Sequence, residues 1–134
     1  MNYEDRDIYG MYKKPRGNGS GPGLMGAHTI IGNDVCNHIG EDLGDITEIM
    51  LNMHDGTIAY AVLSFGGYFG LGEKLFAVPW SALTLDTDRR CFVLQVEKQH
   101  LALAPGFERH HWPDMADQAW AQEIHAFYAA TPLP

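Results

Sequence analysis

The chain of 134 residues is long enough for one domain whose core folds without a metal or a disulfide. Apolar residues make up 46% of it, but none of its apolar runs has the length needed to cross a bilayer, so membrane insertion is not expected. The formal net charge of −8 argues against direct nucleic-acid binding, which relies on Lys and Arg to neutralise phosphates.

The first 26 residues predict a flexible N-terminal arm, because they are rich in glycine and show no hydrophobic periodicity. They also lack the basic start and apolar run of a secretory signal, which favours a cytoplasmic location. The domain is expected to occupy residues 27–103, and residues 104–134 are expected to form a C-terminal loop and helix.

The two cysteines, Cys36 and Cys91, lie in separate apolar segments and have no CxxC spacing. A buried free cysteine behaves as a small apolar residue, and cytoplasmic proteins keep their thiols reduced. The pattern therefore favours two reduced, partly buried thiols over a disulfide or a metal site.

Residues 29–96 consist of short apolar stretches separated by glycines and polar turns, a pattern typical of about six short strands. The first of them begins at Thr29, and Asp55-Gly56 predicts a hairpin turn because this pair accepts positive φ angles. Parallel strands would need crossover helices, which this region lacks. The prediction is therefore a small antiparallel barrel or sandwich.

The stretch before this hairpin turn does not alternate simply. Ile49, Leu51 and Met53 fall on one face, but Ile46 is out of phase by one residue. A β-bulge adds one residue to one strand of a pair, so a bulge near Thr47 would bring Ile46 back into phase.

Residues 64–80 form the most distinctive stretch, in which glycines and aromatic residues stand between two apolar runs. Glycine reaches positive φ angles that other residues disfavour, so the pattern predicts a strand, a sharp corner and a second strand. Phe76, Val78 and Trp80 alternate along the second strand and are expected to enter the core. The residues assigned to this structural corner are Gly66, Gly67, Gly70, Gly72, Pro79 and Trp80.

The same glycines do not fit a phosphate-binding loop. Gly67 and Gly72 have the right spacing, but Glu73 separates the second glycine from Lys74, and Leu75 stands where that loop has Ser or Thr. The chain also continues as a strand where a helix should begin. Nucleotide binding is therefore not favoured.

The C-terminal third changes to helix and loop patterns after Lys98. One helical turn is followed by a loop with two prolines, and then by a helix that Asp114 or Asp117 caps and that reaches about Tyr128. The residues along one face of this helix are Trp120, Ile124, Phe127 and Tyr128. This face is expected to cover the barrel, with contact to a partner as the alternative.

No group of residues predicts catalysis, a cofactor or a metal site. The densest acidic cluster lacks a calcium-loop pattern and falls on both faces of a strand. Its members are Glu41, Asp42, Asp45 and Glu48. His110 and His111 are adjacent, so they cannot both point into one site on regular structure, and the other histidines lack metal-ligand spacing. A ligand- or metal-sensing barrel that uses this pair stays an alternative.

Several motifs together resemble the PRC-barrel domain family. They are Leu43-Gly44, Asp55-Gly56, Tyr60-Ala61-Val62-Leu63-Ser64, Phe65-Gly66-Gly67, Gly70-Leu71-Gly72 and Phe76-Ala77-Val78-Pro79-Trp80. The likeness covers about residues 27–103, and the remaining tail is similar to that of free-standing bacterial members. The resemblance implies a six-stranded antiparallel barrel without catalytic residues.

In other members the module acts as a docking or assembly surface, both in the photosynthetic reaction-centre H subunit and in a ribosome-maturation factor. Neither specific role is expected here, because the sequence shows no membrane-spanning helix and no RNA-processing domain. The resemblance therefore implies a docking function without naming the partner.

The expected function is a non-enzymatic protein–protein interaction or assembly module that self-associates, with a dimer favoured. Two aromatic side chains at a hairpin tip cannot both reach the core of a small barrel, and such a pair suits a symmetric interface. The candidate contact residues are Tyr68, Phe69 and Leu71 in the corner, and Trp120, Ile124 and Phe127 on the helix. An unidentified protein partner, or an accessory role in RNA processing or ribosome maturation, is also open.

Overall fold

The computed structural model describes residues 23–66 and 73–129, so most of the predicted arm lies outside the described residues. The described chain is mainly β. Its elements are α1 (Ala27–Ile30), β1 (Asp34–Cys36), β2 (Asp42–Leu51), β3 (Ile58–Gly66), β4 (Glu73–Pro79), a 3₁₀ turn (Trp80–Ala82), β5 (Leu83–Asp86), β6 (Cys91–Leu94), α2 (Lys98–Leu101) and α3 (Gln118–Ala129).

The six strands form one mixed sheet in the order β4-β3-β2-β1-β6-β5, curved into a half-barrel. Every neighbouring pair is antiparallel except β1 and β6, which are parallel. The prediction of a wholly antiparallel barrel is therefore wrong. Its premise was that a parallel pair needs crossover helices, whereas here β2 to β5 themselves make the long connection between β1 and β6.

The β2–β3 hairpin contains the predicted bulge. Ile46 pairs with Leu63 and Glu48 pairs with Val62, so Thr47 is the extra residue on β2. The predicted turn is also present, with Gly56 at a φ of +78°. Both predictions are confirmed, and the bulge keeps Ile46 fully buried.

The end of β2 differs from the expected alternation. The pairing register of β2 with β3 shifts a second time between Met50 and Leu51, just before the hairpin loop. Ile49 packs against the core, but Leu51 is 53% exposed and Met53 is 84% exposed. These two side chains therefore do not share the buried face of Ile49.

The predicted strand at Thr29 is wrong. Residues 27–30 form the single helical turn α1, in which the amides of Thr29 and Ile30 both donate to the carbonyl of Gly26. This turn buries Ile30 and leaves Ile31 exposed. A strand would have separated the two side chains in the same way, so the burial pattern alone does not distinguish a turn from a strand. Packing of the Ile30 side chain in the core thus stabilises a helical turn here, although β-branched residues favour strands.

Strand β4 is buried on both faces. Phe76 and Val78 lie fully buried on the core face, as predicted, and Trp80 is half-buried in the 3₁₀ turn that follows. Leu75 and Ala77 on the opposite face are also buried, because α3 packs on β4 and residue Phe107 pairs with Leu75 through two 2.9 Å backbone hydrogen bonds. The C-terminal segment therefore forms a second layer over this edge of the sheet.

Cys36 and Cys91 form a disulfide, so the expectation of reduced thiols is wrong. Cys36 pairs with Val93 across the parallel strands, and Cys91 lies two residues before Val93, on the same face of the sheet. The Cα atoms of the two cysteines are 6.5 Å apart, within bridging range. Composition and spacing do not reveal this pair, because the two strands become neighbours only in the folded sheet.

Candidate interaction surfaces

Residues 66–72, which we call the glycine corner, connect β3 to β4. The two strands remain paired up to the base of the corner, which we call its stem. The last registered pair is Gly66 with Glu73. Gly66 has a φ of +89°, which other residues rarely adopt, and this agrees with its predicted place at a sharp bend. The connecting residues Gly67, Tyr68, Phe69, Gly70, Leu71 and Gly72 lie outside the described residues, and their roles stay predictions.

Polar side chains tie the stem of the corner to the C-terminal segment. The Ser64 hydroxyl donates a hydrogen bond to the Glu73 carboxylate, which also forms an ion pair with the Arg109 guanidinium. Ser64 lies on β3, Glu73 begins β4 and Arg109 belongs to the loop before α3. The three residues therefore hold together the ends of β3 and β4 next to the corner.

Two lysines, Lys74 and Lys98, lie at the same end of the sheet. The Lys74 ammonium lies 5.2 Å from the centre of the Phe76 ring, and the Lys98 ammonium lies 5.9 Å from the centre of the Phe65 ring. The two rings contact each other, with centres 6.1 Å apart. With Arg109, these cations are three of the five Lys and Arg residues in the described ranges. We call Phe65, Lys74 and Lys98 the corner rim.

Neither lysine of the corner rim forms an ion pair within the described ranges. Both side chains are exposed, and Phe65 is half-buried. A cation above an aromatic ring keeps its positive charge available to an anion while the ring holds its position. The corner rim thus carries two exposed lysines in a protein whose formal net charge is −8.

The helix face predicted as a contact surface packs on the sheet. Asp117 accepts a hydrogen bond from the amide of Ala119 and so caps α3. Ile124 is fully buried in the core, so it is not accessible to a partner while α3 holds this position. Trp120 and Phe127 are only half-buried.

Aromatic contacts hold the half-buried residues of α3 in place. The Trp120 ring meets Tyr60 edge-on at 5.3 Å between centres, and Phe127 stacks on His100 at 4.7 Å. The Tyr60 hydroxyl lies 3.3 Å from Nε2 of His125. Burial raises the pKa of Tyr60, so this hydroxyl stays protonated at neutral pH.

Tyr128, at the end of the same face, is buried, and its hydroxyl has no hydrogen-bond partner among the described residues. Burial raises the pKa of its phenol, which is therefore neutral at every physiological pH. The residue serves α3 mainly as apolar surface against the core.

Pro79 and Trp80 complete β4 and its turn. Pro79 is buried and pairs with Tyr60 at the end of the ladder, where its missing N–H leaves no ladder bond unmade inside the sheet. The Trp80 ring contacts Phe92 with centres 5.6 Å apart. Both residues have contacts that hold the sheet together, in line with a structural role.

Asn37 is the one fully buried polar residue in the described ranges, and sequence reasoning did not single it out. Its amide nitrogen donates to Glu41 and to the carbonyl of Val96, while its side-chain oxygen accepts from the amide of Glu41. The Glu41 carboxylate also accepts a hydrogen bond from the amide of Lys98. This hydrogen bond, together with the one from Asn37, lowers the pKa of Glu41. The arrangement joins the β1–β2 turn to the chain after β6. The only sequence signal is the spacing of four between Asn37 and Glu41.

The acidic cluster lies on β2 and at the residue just before it. Asp34 pairs with Asp45 across the strands, and burial, with Asp34 and Asp42 nearby, raises the pKa of Asp45. His110 and His111 are exposed in the loop before α3. Within residues 23–66 and 73–129, no group of three His, Cys, Asp or Glu side chains could hold a metal ion.

Comparison with protein-family models identifies a family that the sequence matches. The family model for the PRC-barrel domain matches residues 22–101, which is more than half of the chain. No curated protein matches the sequence. None of the described helices is long and apolar enough to span a membrane.

Proposed function

We propose that this chain, which belongs to the PRC-barrel family, is a non-enzymatic assembly module that self-associates through its glycine corner. The observation that carries the proposal is the stem of the corner. β3 and β4 stay paired to Gly66 and Glu73, and the Ser64–Glu73–Arg109 contacts anchor that base. A rigid base limits the conformational entropy that a presented segment loses on binding.

The core at this end of the sheet supports the same proposal. Phe65 and Phe76 already occupy the inner face beside the stem, and Phe76 is fully buried. The connecting segment contributes three further large apolar residues, Tyr68, Phe69 and Leu71, which we propose as contacts of the interface. Aromatic residues at the centre of an interface supply much of its binding energy. A twofold dimer would bring two copies of the segment together.

The half-buried residues of α3 form a secondary surface in this proposal. Trp120 and Phe127 keep part of their rings exposed, and each is held by a stacked or edge-on neighbour. Ile124 is left out of the proposed interface because it belongs to the core. The corner rim lysines would sit at the edge of the corner interface, where charge influences the rate and salt dependence of association more than its strength.

The test compares two double variants by light scattering over a range of protein concentrations. Tyr68→Ala with Phe69→Ala should shift the chain toward monomer. Leu51→Ala with Met53→Ala is the matched control, because these exposed apolar residues lie at the opposite end of the β2–β3 ladder. An unchanged mass for the corner variant, or an equal shift in the control, would overturn the proposed placement of the interface.

We also propose a cytoplasmic location, and the Cys36–Cys91 disulfide must be reconciled with it. Cytosolic proteins hold disulfides only transiently, because cellular reductants keep thiols reduced. A cytoplasmic location therefore predicts that Cys36 and Cys91 are largely reduced in the cell. Fractionation of the native host, followed by alkylation of free thiols at the moment of lysis, would measure location and oxidation state together.

A further inference from the structure

The disulfide joins the only parallel pair of strands in the described sheet. β1 and β6 share two registered pairs, Val35 with Phe92 and Cys36 with Val93, whereas the adjacent β1–β2 and β5–β6 ladders have three and four pairs. The β1–β6 seam is thus the shortest pairing, and it connects the β5–β6 hairpin to the rest of the sheet. A covalent bond at this seam has a larger share of the local stability than it would have elsewhere.

We propose that the Cys36–Cys91 disulfide is a reversible lock on this seam, opened by a dithiol reductant while the chain stays folded. This inference does not depend on the proposed self-association. It is supported by the unequal burial of the two cysteines and by the hydrogen bonds that hold the seam without the disulfide.

The two cysteines differ in their exposure to solvent. Cys36 is half-buried, whereas Cys91 is only 5% exposed. Both lie on the face of the sheet opposite to Val35 and Phe92, which point into the core. An attacking thiolate must approach along the axis of the disulfide and needs access to one sulfur only. Cys36 is therefore the site of attack and Cys91 supplies the leaving sulfur.

The exchange balances with a dithiol as the reductant. Its thiolate attacks Sγ of Cys36 and forms a mixed disulfide, while the Cys36–Cys91 bond breaks and Sγ of Cys91 leaves as a thiolate that takes up a proton. The second thiol of the reductant, as its thiolate, then displaces Sγ of Cys36, which is protonated in turn. The protein gains two thiol hydrogens, and the reductant is oxidised to its own disulfide.

The charges near the disulfide have opposing effects on the stability of a thiolate formed there. The Arg89 guanidinium donates to the carbonyls of Asn37 at 3.2 Å and His38 at 3.3 Å, directly after Cys36, and Arg90 precedes Cys91. Nearby cations stabilise a thiolate. Asp42, which pairs with Cys36 on the β2 side, and Asp86, which is ion-paired to Arg89, oppose this effect.

The seam has other bonds that remain when the disulfide opens. Asn37 donates to the carbonyl of Val96 at 3.0 Å, and Arg89 bridges the β5–β6 turn to the β1–β2 turn. These contacts do not involve either sulfur atom. Opening the lock should therefore loosen the seam without unfolding the sheet, and this separates a lock from a disulfide that is reduced only after global unfolding.

The first experiment measures how fast dithiothreitol reduces the oxidised native chain at several reductant and low urea concentrations. The lock predicts a rate proportional to dithiothreitol and nearly independent of urea. A rate that saturates with dithiothreitol and rises with urea in parallel with global unfolding would overturn the proposal. So would two titratable thiols in the air-oxidised chain after denaturation without reductant.

The second experiment locates the attack and measures its effect. Brief treatment with glutathione, followed by alkylation and peptide mass spectrometry, should find the mixed disulfide on Cys36, and a predominant adduct on Cys91 would contradict the assigned order. Reduction should lower the melting temperature by roughly 5–15 °C. It should also speed hydrogen exchange in β1 and β6 more than in β3. The Cys36→Ala, Cys91→Ala variant is the control, and any response of it to dithiothreitol would refute the assignment.

Discussion

Replacement of Gly44 by alanine should be one of the most destabilising single-methyl additions in this protein. Gly44 has a φ of +104°, and a Cβ atom built there would lie 2.1 Å from the backbone oxygen of Ser64. The positive φ alone costs about 1–2 kcal/mol for an alanine. The clash adds about 1–3 kcal/mol, because a backbone carbonyl cannot rotate away as a side chain can. We expect a total loss of about 2–5 kcal/mol, a large part of typical domain stability.

Gly40 provides the matched control for this substitution. Its φ is +89°, but a Cβ atom there would meet nothing within 4 Å. Gly40→Ala should therefore show the conformational cost without the clash. Urea unfolding at one fixed protein concentration measures both, and the midpoint of Gly44→Ala should lie about 1 M or more below that of Gly40→Ala. Equal midpoints would refute the close approach of β2 and β3 at this position.

Two further predictions concern stability. Ile124→Ala should lower the free energy of unfolding by about 2–5 kcal/mol, because the side chain is fully buried, and a loss in urea unfolding below about 1 kcal/mol would contradict this packing. Asp45→Asn should stabilise the chain at pH 7. The raised pKa means that ionised Asp45 destabilises the fold, and the advantage should vanish below about pH 4, where the unfolded carboxyl is also protonated. A difference independent of pH would contradict it.

Local sequence patterns predicted the features that depend on neighbouring residues. The one-residue phase shift at Ile46 located the bulge at Thr47, because the side chains of a strand alternate strictly. Asp55-Gly56 located the hairpin turn by the same kind of local rule, since positive φ favours glycine. The cap at Asp117 likewise depends on residues within one helical turn.

Pairing between distant strands could not be predicted in this way. No local pattern shows that β1 and β6 are parallel neighbours, and the Cys36–Cys91 disulfide follows only from that pairing. The helical turn at Thr29 has the same origin, because burial of Ile30 depends on the rest of the core. Intrinsic strand preference is weak enough for such packing to override it.

The candidate surface was predicted in part from the sequence. The glycine pattern predicted a bend at Gly66, but the ion pair between Glu73 and Arg109 joins segments far apart in the chain. The positions of Lys74 and Lys98 over aromatic rings likewise depend on the folded sheet. Periodicity shows which helix residues share a face, but it does not show what covers that face.

The most direct test of self-association through the corner is the mass of the chain in solution, measured by light scattering across a dilution series. We predict that the unmodified chain approaches twice its 14.9 kDa mass at high concentration. The Tyr68→Ala, Phe69→Ala variant should stay near the mass of one chain over the same range. A monomeric unmodified chain, or a variant that associates equally well, would contradict the account.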